Sequence, residues 1–479
     1  MPGTKNLPAW LFSCSLHALI VILLGLSPLL IMVEAPVELV ASFSEELGEP
    51  SDLEELGEVE LLGSDIDLPS LPDELVVEDQ PPLLPALDAV LPSFEVPVVD
   101  MVPSQMGQLL SGRQKDMKGA LLAAYGGSEK TEAAVLAGLQ WLARRQDTDG
   151  SWSLSGRLGQ DARHKSATYQ YGSQMENKPA ATAMAMLAFQ GYGQTHLGGP
   201  ERKFELVMKR ARKALLRRQS DRGDFTRVAS SKETPISTHH AFYTQAICTF
   251  ALCELYAMSE DSSLRGPAQK AVDYLVDSQH SAGGWRYGGS SGSDLSVTGW
   301  VVMALQSARM ARLNVPQNTL YRISGFLDKV AHEGGRLYSY QPGRRWSLPM
   351  TAEGLLCRQY LGWNIDNERL LEGVEVLLDN PIEEAYQDVY YWYYATQVLH
   401  NMEGDAWRKW NRVMSTYLPA KQLKRGSEHG SWTPRRDAWG EAGGRLYTTC
   451  LSLYMLEVYY RHLPIYSLNL DLAPTPEKP

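Results

Sequence analysis

Leu139-Gln140-Trp141-Leu142-Ala143-Arg144-Arg145-Gln146-Asp147-Thr148-Asp149-Gly150-Ser151-Trp152 reads as the last turns of a helix, a glutamine, and a tight Asp-Gly-Ser turn closed by a tryptophan. The plan returns at Tyr274 to Gln279 with Gly283-Gly284-Trp285, and more weakly at Leu215 to Gln219 with Gly223-Asp224-Phe225. A helix–Gln–turn–aromatic unit that recurs marks a repeat architecture.

Working outward, each unit continues into a second helix with small, Thr or Tyr residues near its start. These begin near Pro179, Tyr243, Val297, Met350, Val389 and Leu446, six helices about fifty residues apart. First-helix partners are weaker for the last three: Phe326-Leu327-Asp328 before Gly334-Gly335, Val376-Leu377-Leu378, and Tyr417-Leu418 with Gln422 before Gly430-Ser431-Trp432. Second helices that are apolar nearly all round belong inside, and the more polar first helices outside. Six such hairpins predict an all-α fold, a closed (α/α)6 toroid over residues 128–466. An open solenoid would need polar caps at both ends, and neither terminal unit looks specially polar.

The rest of the chain differs in kind. From Ala9 to Val33 there is no charged residue, enough to span a bilayer of about 30 Å. Lys5 precedes this stretch and acids follow it. That orientation predicts a cytoplasmic tail (1–8), a single retained transmembrane helix (9–33) in the inner membrane and a periplasmic remainder. Between Glu34 and Gly112 there are 19 acids and no Lys or Arg, whereas residues 113–479 carry 37 acids against 44 bases. The net charge of −11 therefore describes one segment. With prolines throughout, residues 34–127 read as an extended, disordered acidic linker that could reach on the order of 200 Å. Residues 467–479 read as a tail. No basic stripe is interleaved with stacking aromatics, which speaks against a nucleic-acid partner. Cys14, Cys248, Cys253, Cys357 and Cys450 form no C-x-x-C pair and no Cys/His cluster, so buried free thiols are expected, and no metal or cofactor.

Ser13 and His17 lie on one face of the predicted membrane helix, and an ionisable residue there is a functional hypothesis by default. The run Leu11 to His17 resembles the anchor of TonB-type energy-transducing proteins. That resemblance implies engagement of a proton-driven inner-membrane motor complex. Gln146 with Trp152, Gln279 with Trp285, and the turn at Trp432 resemble the QW repeats of the squalene/hopene cyclase and prenyltransferase superfamily. There the Gln is taken to cap the next helix while the Trp packs over it. Met350 to Gln359 and Asp388 to Gln397 also resemble bacterial membrane-anchored members of that superfamily. Fold does not carry function with it.

A cyclase of that superfamily needs an Asp acid in an Asp-x-Asp-Asp-Thr-Ala motif. The matching segment here is Asp294-Leu295-Ser296-Val297-Thr298-Gly299, where Ser296 and Val297 stand in place of two acids. Prenyltransferase zinc ligands are also missing, for His239 and His240 precede Cys248 and Cys253 without a carboxylate at ligand spacing. Were the protein an enzyme, paired carboxylates from Asp294, Glu353 and Asp388 could serve, although Asp294 and Asp388 also suit helix capping. Tyr390-Tyr391-Trp392-Tyr393-Tyr394 must turn some rings inward, so Trp300, Tyr391, Trp392, Tyr394 and Tyr447 are expected to line a ligand cavity for a lipid or peptide, plain packing being the competing reading. Two functions follow: a membrane-tethered binding module of the cell envelope, or an enzyme on an isoprenoid, lipid or polysaccharide.

Overall fold

The computed structural model describes residues 110–113, 115–156, 170–226, 236–288 and 292–466. The predicted membrane helix with Ser13, Cys14 and His17, residues 34–109 of the linker, and the tail 467–479 lie outside them. Among the described residues no helix is long and apolar enough to cross a membrane.

Six inner helices form the ring: α3 (Lys178–Gly191), α5 (Ala241–Ser259), α7 (Leu295–Met310), α9 (Leu348–Tyr360), α11 (Val389–Met402) and α13 (Gly440–Leu456). Each packs against the next, and α13 packs back on α3, so the ring is closed and an open solenoid is excluded. The outer helices are α2 (Glu129–Arg144), α4 (Arg202–Arg218), α6 (Ser262–Asp277), α8 (Gln317–Val330), α10 (Glu368–Asp379) and α12 (Gly404–Lys421). Their sequences decide the layers. In α3 every residue from Pro179 to Gly191 is buried, whereas α6 buries only Leu264, Ala268, Ala271, Val272 and Leu275, one helical stripe. Cys248, Cys253, Cys357 and Cys450 are free and buried.

The repeated turn is a joint made of four hydrogen bonds. The Gln146 carboxamide donates to the Gly150 carbonyl of its own turn (3.0 Å) and to Val207 of the next outer helix (2.9 Å). Gln279 does the same to Gly283 (2.7 Å) and Thr319 (3.0 Å), and Gln422 to Gly430 (2.9 Å) and Ala134 (2.7 Å). The last pair joins the sixth hairpin to the first. Gln219 keeps the reach to α6, at the Pro267 carbonyl (2.8 Å). The glutamine thus binds a carbonyl within the neighbouring helix and does not cap that helix's amino end. The indoles of Trp152, Trp285 and Trp432 donate to Leu142, Leu275 and Leu418, each at 2.8 Å, satisfying a carbonyl near the end of their own outer helix. Their backbone N–H groups donate to Thr182, Thr298 and Thr449 of the following inner helix. Gly150, Gly223, Gly283 and Gly430 sit at φ near +90°, and a Cβ at Gly283 would lie 2.1 Å from the Arg322 carbonyl oxygen. Glycine lets each turn touch its neighbour.

Two joints are built otherwise. After α8 a short antiparallel pair replaces the glutamine turn: β1 (Ala331–His332) with β2 (Leu337–Tyr338). After α10 the Tyr391 hydroxyl donates to Leu377 (3.3 Å) and Asn380 (2.8 Å), the carbonyl role played elsewhere by an indole.

The described helices include residues before 128. The segment Leu110–Arg113 and helix α1 (Lys115–Ala124), assigned to the linker from sequence, pack at the base of the ring with α14 (Val458–Arg461). Arg113 makes a bidentate bond to Glu254 of α5 (2.9 Å each) and donates to the Arg461 carbonyl (2.7 Å). Arg461 and His462 also reach Glu254, at 3.3 and 3.0 Å. Burial alone would raise the Glu254 carboxyl, but Arg113 and Arg461 hold it well below the usual carboxylate range. Removing one partner of such a buried cluster strands a charge, at about 3–5 kcal/mol. Arg113→Met should lower stability by that amount in chemical denaturation of the full chain. A change under about 1 kcal/mol would mean the cluster is not structural.

Candidate functional site

Every hairpin enters its inner helix from the turn, so the amino ends of α3, α5, α7, α9, α11 and α13 share one end of the ring, the mouth. Asp294 and Asp388 immediately precede α7 and α11 and act as N-caps. Asp294 accepts from the Val297 N–H (2.8 Å) and Asp388 from the Tyr391 N–H (2.9 Å), as their residue type favours. Both carboxyls are fully buried. Asp437, three residues before α13, accepts from the N–H groups of Val389 (2.8 Å) and Trp439 (3.1 Å) and thereby ties α11 to α13. Glu353 projects from α9 against Gly299 of α7, where a Cβ would sit 1.9 Å from its Oε1; it accepts from the Tyr390 hydroxyl at 2.9 Å.

Tyrosines complete the mouth. Tyr287 and Tyr340 meet hydroxyl to hydroxyl at 2.5 Å, Tyr340 donates to Asp294 (3.1 Å), and Arg286 stands 3.5 Å from the same carboxyl oxygen. The Tyr243 hydroxyl pairs with Ser296. Ser296, which replaces a cyclase acid, is thus a hydroxyl partner in a neutral network. Below this layer the lumen is crossed by side chains. Trp300 of α7 stacks on Tyr393 of α11 (centroids 5.9 Å), and Tyr394 and Tyr454 pack on Tyr393 at 5.2 and 5.6 Å. Each of these four rings is no more than 3% exposed.

The five expected cavity residues therefore divide. Trp300 and Tyr394 face the lumen and fill it, and Tyr447 belongs to the mouth cluster, electrostatically coupled to Asp437, Asp388 and Glu353. Tyr391 is a joint residue, packed edge-on to Trp410 of α12, and Trp392 faces outward against Tyr417. Trp392 there forms part of a cleft of about 660 Å³ between α11, α12 and α13, bordered by Asp437, Arg435, Arg436 and Lys421. Among the described residues no cluster of three or more His, Cys, Asp and Glu could hold a metal ion. Asp437, Tyr287 and Tyr340 were not singled out from sequence, and Tyr243 and Tyr390 were named only as parts of inner helices. The signal was there for two of them: Trp285-Arg286-Tyr287 and Tyr338-Ser339-Tyr340 share an aromatic–x–Tyr pattern.

The acids are pushed toward their neutral forms. Burial raises Asp294 from 3.8 to about 7 and Asp388 to about 6. Burial, with the Asp388 carboxylate adding to it, raises Asp437 to about 8, and burial raises Glu353 well above its usual range. Such groups bind protons more tightly folded than unfolded. Their contribution to stability is full below the ordinary value of 3.8 and is lost as pH rises through the folded value. The melting temperature should therefore fall between about pH 6.5 and pH 8, above the range in which His240, His400 and His462, pushed down by burial, oppose the acids. Asp437→Asn should flatten the upper part of that fall, and a profile identical to wild type would refute the raised proton affinity.

No family model matches the sequence, and no curated protein matches it. Solved structures similar to this chain include the type II terpene cyclase MstE from Scytonema, at 12% identity and a TM-score of 0.45, covering 69% of this chain and 98% of that one. Cellobiose 2-epimerase from Bacillus thermoamylovorans B4167 matches at 13% identity and 0.48, over 67% and 95% of the two chains. An inactive variant of the alpha-1,6-mannanase GH76A of Salegentibacter sp. HEL1_6 matches at 10% and 0.46, over 70% and 99%. The three are α/α toroids, and the toroid described above rests on this chain's own closed ring of helices.

Proposed function

We propose that this chain is a non-catalytic binding module of the cell envelope, held to the inner membrane through residues 9–33, with the toroid as its receptor on the periplasmic side. The observation that carries this reading is the stack of Trp300 on Tyr393 across the ring, which occupies the lumen where a cyclase would fold a polyprene. The carboxyls support it, since Asp294 and Asp388 are spent on capping α7 and α11. Ser13 and His17 would couple the module to a proton-driven complex, as the anchor's resemblance implies.

A second reading, an enzyme on an isoprenoid, lipid or polysaccharide, is favoured by one observation. A buried acid at about 7, as at Asp294, is poised to deliver a proton at neutral pH. Incubating the purified full chain with squalene, a geranylgeranyl substrate and an α-mannan, with products read by mass spectrometry, separates the two. The binding module gives no product above Asp294→Asn. Turnover that drops by about 100-fold or more in Asp294→Asn establishes the enzyme and removes the binding reading.

A further inference from the structure

Among the outer helices α4 stands apart in charge. It carries eight bases and one acid, whereas no other outer helix has more than four bases. At about 100° per residue, Arg202, Leu206, Lys209, Arg210, Lys213 and Arg217 fall within about a third of the circumference, and every one of them is exposed. Leu206, 55% exposed, lies at the middle of that arc. Lys209 is paired with Glu205 (2.5 Å) and Arg217 donates to the Asp149 carbonyl (2.6 Å), but Arg202, Arg210 and Lys213 make no ion pair among the described residues. Lys213 has bases three and four positions before it and four positions after it, a spacing that disfavours the helix unless an anion faces it. The face also begins where the described chain begins. The loop leading into α4 touches residue 113: a Cβ at Gly193 would lie 2.6 Å from the Arg113 carbonyl oxygen and 3.5 Å from Pro200. Whatever precedes Leu110 is therefore joined to the fold beside the first turn of α4.

We propose that this face of α4 docks Asp73-Glu74-Leu75-Val76-Val77-Glu78-Asp79 of the same chain. The segment sets two acidic pairs around three aliphatic residues, and no Lys or Arg occurs between Glu34 and Gly112. The spacings agree. Arg202 and Lys213 are separated by about 16 Å of helix rise, and an extended chain separates the two acidic pairs by about 16 Å. Laid along α4, one pair meets Arg202, the other meets Arg210 and Lys213, and the aliphatic middle covers Leu206 between them. Asp88, Glu95 and Asp100, nearer to Leu110, are single charges without this pattern. A coil of about 30 residues, the number between Asp79 and Leu110, has a root-mean-square span of about 30 Å, against about 25 Å for the length of α4. Attachment at a matching distance gives the segment an effective concentration on the order of millimolar, and this selects it over free polyanions. Polyphosphate would also leave Leu206 bare, and an anionic lipid surface shares the charge but not the two-ended spacing. Held on α4, residues 73–109 would no longer lengthen the predicted linker, and the reach of residues 34–109 would fall by about half. Docking is independent of whether the toroid is a receptor or an enzyme.

Zero-length carbodiimide cross-linking of the full chain in detergent, with peptide mapping, tests this, because it joins a carboxylate only to an amine in contact with it. Cross-links from Asp73, Glu74, Glu78 or Asp79 to Lys209 or Lys213 are expected, and within one chain when isotope-labelled and unlabelled protein are mixed. Their yield should fall by about ten-fold or more in Arg202→Glu with Arg210→Glu, because like charges facing each other suppress the encounter. The Glu384–Lys421 pair, at 2.6 Å on the far side of the ring, should cross-link equally in both proteins and reports that the variant is folded. Reordering residues 73–79 at constant composition, so that the four acids are contiguous, leaves the toroid untouched and should lower the yield as well. No cross-link to α4, cross-links chiefly between chains, or equal yield from the reordered segment or from the other acidic tracts would each overturn the proposal. So would an unchanged yield in the charge-reversed variant. Loss of the cross-links on moving the chain from phosphatidylcholine to phosphatidylglycerol nanodiscs would assign α4 to a lipid surface instead.

Discussion

The donation of one glutamine carboxamide to two carbonyls, one in its own turn and one in the neighbouring outer helix, is the interaction on which the ring depends. A hairpin of two helices has no intrinsic reason to stop after six copies. Gln146, Gln279 and Gln422 each fix the distance between one turn and the next outer helix, and the adjoining glycine lets the backbones touch at that distance. Each bond is worth only about 0.5–1.5 kcal/mol net. Their value lies in repetition, since the same offset applied around the ring brings Gln422 back to Ala134. At four of the joints a second donor, the indole or, after α10, the Tyr391 hydroxyl, spares the outer helix an orphan carbonyl in a buried place.

Much of this was legible in the sequence, because a joint that needs Gln, a positive-φ Gly and an aromatic leaves those residue types at fixed spacing. The inner helices were legible as well, since burial on all sides removes polar residues from them. The start of the fold was less so. Arg113 looks like an ordinary basic residue after an acidic tract, and only its distant partners Glu254 and Arg461 show that it belongs to the base of the ring. Five aromatics in a row could not be sorted by sequence either. Consecutive helical residues point about 100° apart, and which direction is lumen depends on the crossing of α11 with its neighbours. Tyr394 points inward, Tyr391 to α10 and Trp392 to the cleft.

The acids at the mouth illustrate how one residue serves two demands. Asp is the natural N-cap, and because the inner helices all start at the mouth, capping them gathers carboxyls into a shared, dry neighbourhood. Burial then raises their proton affinity, and a neighbouring carboxylate adds to it at Glu353 and Asp437. Asp294 and Asp388 are thus perturbed groups whose perturbation follows from the architecture itself.

The ion cluster at the base has a mechanical meaning. Arg113, near the start of the described residues, fastens the chain to the ring: it bonds to Glu254 of α5 and to the Arg461 carbonyl of α14, and lies 3.4 Å from the Gln190 carbonyl of α3. A pull applied upstream of residue 110 would load the first, second and last hairpins in parallel, rather than peeling α2 away first. The cleft lies at the opposite end of the ring, beside the mouth. Tension arriving at the base would be carried by a clamp spanning the closure point, so the ring would bear load as a hoop and not as a string of hairpins.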